Sequence, residues 1–329
     1  MAKSKKPLKA ALQSQQSRLK LKQKAAQAAQ TAELMAKKQG GAKGKPHPAN
    51  AKGKGKAVAP PRRLTMPFRA TDKILLIGEG NFSFARALVR DAPAELEHLP
   101  ARNVTATAYD TEAECYDKYP EAADIVQDLR AAGAEVHFGV DATQLGKVTS
   151  FKGRKWDRIV WNFPHAGKGI TDQDRNILSN QLLILGFLRS AAGFLGSGPV
   201  PEVFSPKKRK RPDDDDEAEE DENMSDDHTD LDDDNIVTAV AARGTILLTL
   251  RNVVPYTAWD VPRLAKNPPS PTTGSTPPNP KYLILRSFFF HRSMWKGYQH
   301  RMTKGERAHG TGKTGEGGED RTWEFCLKD

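Results

Sequence analysis

Apolar residues along this chain fall in short unbroken runs, each followed by a longer segment with helical spacing. Residues 74–77 form the first run, and continuous hydrophobics mark a strand buried on both faces. Residues 81–90 follow as a helix. Residues 104–109 predict a second strand ending at Asp110, and 113–132 a largely helical stretch that Pro120 interrupts and Gly133 stops. Residues 135–140 predict a third strand ending at Asp141. Residues 158–162 predict a fourth, followed by a turn over 163–169. Ile177, Leu182, Leu185 and Leu188 lie near helical spacing within a long helix over 172–194. A fifth strand (245–250), a short helix (256–266), a sixth strand (282–290) and a last short strand (322–327) complete the pattern. Strands alternating with helices predict an α/β fold on a parallel sheet with helices on both faces.

Charge changes the picture at two places. Residues 1–63 hold 17 Lys and Arg against one acid, Glu33, with almost no aromatic residues. Such a stretch cannot bury enough apolar surface to order itself, and a basic arm of this kind suits nucleic acid. Residues 207–211 are five consecutive cations, K-K-R-K-R, and residues 212–234 then carry 15 acids and no Lys or Arg. A structureless stretch over 196–235 inside a compact domain is an insertion rather than core. The expected organisation is therefore a disordered basic tail (1–63) and one ordered domain (64–329) with a disordered basic/acidic insertion (196–235). The K-K-R-K-R run reads as a nuclear import signal.

No apolar run reaches 18 residues, so no transmembrane helix is expected, and the Lys-bearing N-terminus has no apolar core of a secretory signal. Two cysteines, Cys115 and Cys326, support neither a disulfide framework nor a metal site, so a reduced, intracellular protein is expected. Nothing suggests an interface, so a monomer is the default.

The candidate chemistry lies at the strand ends, because open α/β sheets bind ligands beyond the C-terminal ends of their strands. The first run ends in Gly78-Glu79-Gly80-Asn81, a turn that passes straight into a helix; Gly78 and Gly80 permit tight turning and close approach to a ligand. The helix start offers unpaired N–H groups to a polar or anionic group. Asp110 can accept from two ribose hydroxyls, and Asp141 from an exocyclic amine such as adenine N6; both residues also suit helix caps or turns. After the fourth strand stands Asn162-Phe163-Pro164-His165. Asn162 can read a flat polar edge, Phe163 offers a face for a base, Pro164 holds Phe163 in extended or turn geometry, and His165 suits general base work. Near the end, Tyr298, His300, Arg301 and Lys304 interleave rings with cations, as RNA contacts do; a solvated basic loop has the same composition.

With these turns in view, the chain resembles the Rossmann-like S-adenosylmethionine-dependent methyltransferases that act on N3 of uridine in eukaryotic large-subunit ribosomal RNA. The residues that carry the resemblance are G-E-G-N-F-S-F at 78–84, W-N-F-P-H-A-G at 161–167 and Y-Q-H-R-M-T-K-G at 298–305. It covers roughly residues 70–310, outside the tail and the acidic run. It implies a seven-stranded methyltransferase sheet, S-adenosyl-L-methionine as donor, pre-ribosomal RNA as substrate and a nucleolar site. Gly78, Glu79, Gly80 and Asn81 would line the methionine end of the cofactor, Asp110 would hold the ribose, and Asn162 to His165 would face the base. As a mechanism, Asn162 would accept from N3–H, Phe163 would stack on the ring, and His165 or water would take the proton.

Two other classes fit less well. An NAD(P)-dependent oxidoreductase would need a third glycine where Ser83 stands, and an acid roughly 20 residues on, whereas Asp110 lies 30 beyond Gly80. A non-catalytic RNA-binding ribosome-assembly factor could use the same fold and tail only to hold RNA.

Overall fold

The computed structural model describes residues 64–201, 242–271, 276–302 and 319–328. The basic tail, the K-K-R-K-R run, the acidic stretch and Lys304 lie outside them.

Seven strands form one sheet in the order β3-β2-β1-β4-β5-β7-β6. They are β1 (Ile74–Ile77), β2 (Val104–Thr107), β3 (Glu135–His137), β4 (Arg158–Asn162), β5 (Thr245–Arg251), β6 (Tyr282–Phe289) and β7 (Asp320–Leu327). The helices are α1 (Ser83–Val89), α2 (Glu112–Lys118), α3 (Ala122–Ala131), α4 (Gln173–Ala192) and α5 (Val261–Lys266). β1 to β5 pair in parallel, but β7 runs antiparallel between β5 and β6. The all-parallel expectation is therefore corrected to a mixed sheet. β7 begins at Asp320 opposite Arg251, the last residue of β5, so it starts at the edge where β5 ends and must run back.

β1 lies between β2 and β4, and all four of its residues are buried. Leu75 and Ile77 pack with α4 and α5, whereas Ile74 and Leu76 pack with α1, α2 and α3, so helices cover both faces. Each such side chain contributes roughly 1.5–3 kcal/mol by leaving water.

Element ends move for local reasons. α1 begins at Ser83 rather than residue 81 because Phe82 has φ +60°, outside helical space. The helix expected over 113–132 splits around Pro120 into α2 and α3. β3 is three residues long because Gly139 turns at φ +67° and its N–H bonds to the Asp110 carbonyl instead. The helix expected over 256–266 is broken at Asp260, which has φ +49°. Among the described residues, no helix is long and apolar enough to cross a membrane.

Candidate active site

The first turn is shaped by the protein around it. Gly78 has φ +64°, and a Cβ there would lie 2.7 Å from Trp161 Nε1 on neighbouring β4. A Cβ on Gly80 would lie 3.3 Å from the Cβ of Arg301. The missing side chains thus make room for Trp161 and Arg301, and the left-handed φ of Gly78 is the tight turn expected of it. The Glu79 N–H bonds to the Thr107 carbonyl at 2.8 Å, fastening the turn to β2.

Glu79 changes the chemistry of this turn. Its carboxylate accepts from the N–H groups of Phe84 and Ala85, so the start of α1 is already capped by an anion. The residue is half-buried, and desolvation of its carboxyl outweighs those two bonds, pushing its pKa up to about 7. The expected free N–H groups are therefore taken, and a pyrophosphate would meet a carboxylate. Asn81 is almost fully buried; its amide accepts from Ser83 N–H at 3.2 Å and donates to Glu121 at 2.8 Å. These two bonds brace the turn.

Asp110 and Asp141 lie at the same sheet edge with different commitments. Asp110 pairs with Lys118 through one oxygen at 2.7 Å. Asp141 caps the short 3₁₀ segment Ala142–Lys147: one oxygen accepts from the Thr143 N–H and hydroxyl, the other from the Gln144 amide. These bonds hold its carboxyl below the ordinary range against its burial. Three of a carboxylate's roughly four acceptor positions are thus filled, and its first job is the cap. An open groove beside it is lined by Phe138, Gly139, Asp141 and Gln144. Tyr109, next to Asp110, is 71% exposed at this edge and was missed, although an aromatic before a strand-ending acid is a legible signal.

At the end of β4 the Asn162 side chain carries both its nitrogen and its oxygen buried without a hydrogen-bond partner. Buried amides are nearly always satisfied, so an orphaned one stands out against the rest of the interior. It lines a small apolar cavity with Phe84, Thr249, Phe290 and Thr322. Phe163 has φ +55°, a strained state for a bulky residue, and its N–H bonds to Thr249 at 2.8 Å. Its ring is already covered: the His300 ring lies 4.3 Å away and the Arg292 guanidinium 5.0 Å from its centroid. The turn that follows is held by Asn180 on α4, fully buried, whose amide oxygen accepts from Ala166 N–H at 2.8 Å. That residue was missed, and a lone Asn on the apolar face of a helix was its signal.

Pro164 is buried, and His165 is exposed, with its Nδ1 accepting from Gly167 N–H at 2.9 Å. This bond places the proton of the neutral ring on Nε2 and leaves Nδ1 engaged, a poor arrangement for a general base.

The Tyr298–Met302 segment does not form an outward RNA face. Tyr298 packs against Phe84 and Phe290, and burial raises its hydroxyl far above the usual range. His300 is pushed down to about 4, first by burial and then by Arg292 and Arg251. Arg301 pairs with Glu121 at 2.6 Å, and the Tyr119 hydroxyl donates to the Met302 carbonyl at 2.6 Å. Tyr298, His300 and Arg301 thus turn inward because the segment folds back over the Gly-rich turn, bringing together motifs more than 200 residues apart in sequence.

The model of the rRNA (uridine-N3-)-methyltransferase BTM5-like family matches residues 75–302. The chain belongs to this family. The matched span opens in β1 and closes at Met302, so it contains both turns and the segment that returns over them. The chain is also 28% identical over 262 residues to a Saccharomyces cerevisiae protein named 25S rRNA (uridine(2634)-N(3))-methyltransferase, a match spanning 74% of this chain and 69% of the yeast protein. An uncharacterized Arabidopsis thaliana protein is 37% identical over 131 residues, 39% of this chain and 60% of its own length. The mouse ferredoxin-fold anticodon-binding domain-containing protein 1 homolog is 37% identical over 123 residues, 37% of this chain and 18% of its own length.

Proposed function

We propose that this protein transfers a methyl group from S-adenosyl-L-methionine to N3 of a uridine in large-subunit ribosomal RNA, during ribosome biogenesis in the nucleolus. The reading extends family membership, and the observation that carries it is the orphaned Asn162 amide one strand away from the Gly-rich turn. A carboxamide matches the imide edge of uracil, accepting from N3–H and donating to the neighbouring carbonyl oxygen.

The residues present fit this cofactor better than a dinucleotide. The Glu79 carboxylate at the start of α1 disfavours a pyrophosphate and suits the cationic ammonium and sulfonium of the methionine end. The second oxygen of Asp110, outside its Lys118 contact, suits a ribose hydroxyl, and the groove by Asp141 would take the adenine. When bound, the cofactor supplies an electrophilic methyl on sulfur, transferred by in-line displacement. The protein's own share is to place N3 on that line, Asn162 holding the imide edge until N3 ionises and then keeping only the contact to the neighbouring carbonyl oxygen, while the Asn180-braced turn keeps it in position. A base drawn from a duplex must first be flipped out. The basic tail supplies sequence-independent affinity for RNA.

The test is chromatography of ribosomal RNA nucleosides from cells lacking the protein, complemented with wild type or Asn162→Ala. A fall in 3-methyluridine that only wild type restores is expected. Unchanged methylated nucleosides would sink the reading in favour of an assembly factor without catalysis.

A further inference from the structure

Uracil N3 carries a proton and is a poor nucleophile while it does. Two imidazoles near the turn are poorly arranged to remove it, since His165 spends Nδ1 on Gly167 and His300 resists protonation near neutral pH. A group that makes the proton easier to lose would activate N3 without an imidazole base.

Building on the methyltransferase reading, we propose that Arg292 is a catalytic residue whose guanidinium binds a carbonyl oxygen of the target uracil and holds the negative charge left when N3 ionises. Arg292 follows β6 and is anchored through Nε to the buried Asp320 carboxylate at 2.6 Å. Asp320 is itself fixed by its register opposite Arg251, whose Nε lies 3.9 Å from the other carboxylate oxygen. The anchored guanidinium lies over the ring of Phe163, the residue next to the orphaned Asn162 amide. A carboxamide beside Phe163 and a guanidinium over its ring would together match the acceptor–donor–acceptor edge of uracil, which neither could satisfy alone.

The step balances simply. The N3–H bond breaks, its electron pair stays on the ring delocalised over O2, N3 and O4, and the proton passes to water. Two arginines against one aspartate leave the cluster net positive. Other ionisable groups near it include His291, the preceding residue, His300 from the returning segment, and Tyr298, which feels Glu79, Arg292 and Asp320 together. Burial is the larger cause of the lowered His300 pKa; Arg292 and Arg251 add to it, and their positive charge is what would favour loss of the proton from N3.

Methyl transfer from tritiated S-adenosylmethionine is measured on large-subunit ribosomal RNA transcripts made with uridine or with 5-fluorouridine, whose N3–H is more acidic. Arg292→Lys keeps a cation for Asp320, and thermal melting checks its fold. The expected result is retained cofactor affinity, a kcat about 100-fold lower on the uridine transcript, and a clearly smaller loss on the 5-fluorouridine transcript. An equal loss on both transcripts, or none, overturns the role. Wild type inactive on both transcripts overturns the methyltransferase reading itself, before any variant is compared.

Discussion

The Ser83 hydroxyl donates to the Gln299 carbonyl at 3.1 Å and accepts from the Gln299 N–H at 3.0 Å, joining the first turn of α1 to a segment 216 residues later. Together with Tyr119 on Met302 and Arg301 on Glu121, it closes the returning segment over the Gly-rich turn. Ser83→Ala removes both bonds and should cost about 1–2 kcal/mol. Denaturant unfolding reads the loss, and faster amide exchange at Gln299 locates it. Unchanged exchange there would mean that the segment is held by its other contacts.

The buried Asn162 amide costs stability. Its amide is buried with no partner, so Asn162→Leu should raise stability by about 1–2 kcal/mol while abolishing methyl transfer. Thermal melting and a methylation assay on the same preparation check the two halves. A destabilised variant would show that the amide has a partner in solution.

Gly78→Ala should destabilise by at least about 1–2 kcal/mol, from the left-handed conformation alone. The added Cβ also meets the Trp161 indole at 2.7 Å. Trp161→Phe in the same background should recover part of the loss in a chemical denaturation series. No recovery would assign the whole cost to backbone strain.

His300 and Glu79 give stability opposite slopes with pH. His300 is lowered from 6.5 to about 4, so the unfolded state binds the extra proton between these values and stability falls as pH drops through that window. Glu79 is raised from 4.5 to about 7, so the folded state binds the extra proton there and stability falls as pH rises. His300→Gln should remove the acid-side loss and Glu79→Gln the neutral-side loss, each read by urea melts from pH 4 to 8. A cationic methionine end beside Glu79 would also bind more weakly below pH 7, which calorimetry of S-adenosylmethionine binding would detect.

Much of the fold was legible because its signals are local. β1 and β4 have the expected ends, since an unbroken apolar run bounded by a turn specifies a buried strand without reference to the rest of the chain. Pro120 divides α2 from α3 for the same reason. The strand-end residues Gly78, Asp110 and Asn162 share one sheet edge because parallel strands end on the same side.

What the sequence by itself determined was the α/β alternation, the ends of β1 and β4 and the two turns, all carried by side-chain periodicity and by glycine and proline geometry. Only the tertiary structure decided that Asp141 serves first as a cap, that β7 runs against its neighbours, and that Tyr298, His300 and Arg301 face inward. It also decided that Arg292 and His300 cover Phe163. Each of these depends on which residues the sheet order and the returning segment bring together, and burial beside a partner distant in sequence leaves no mark in the local pattern from which secondary structure is read.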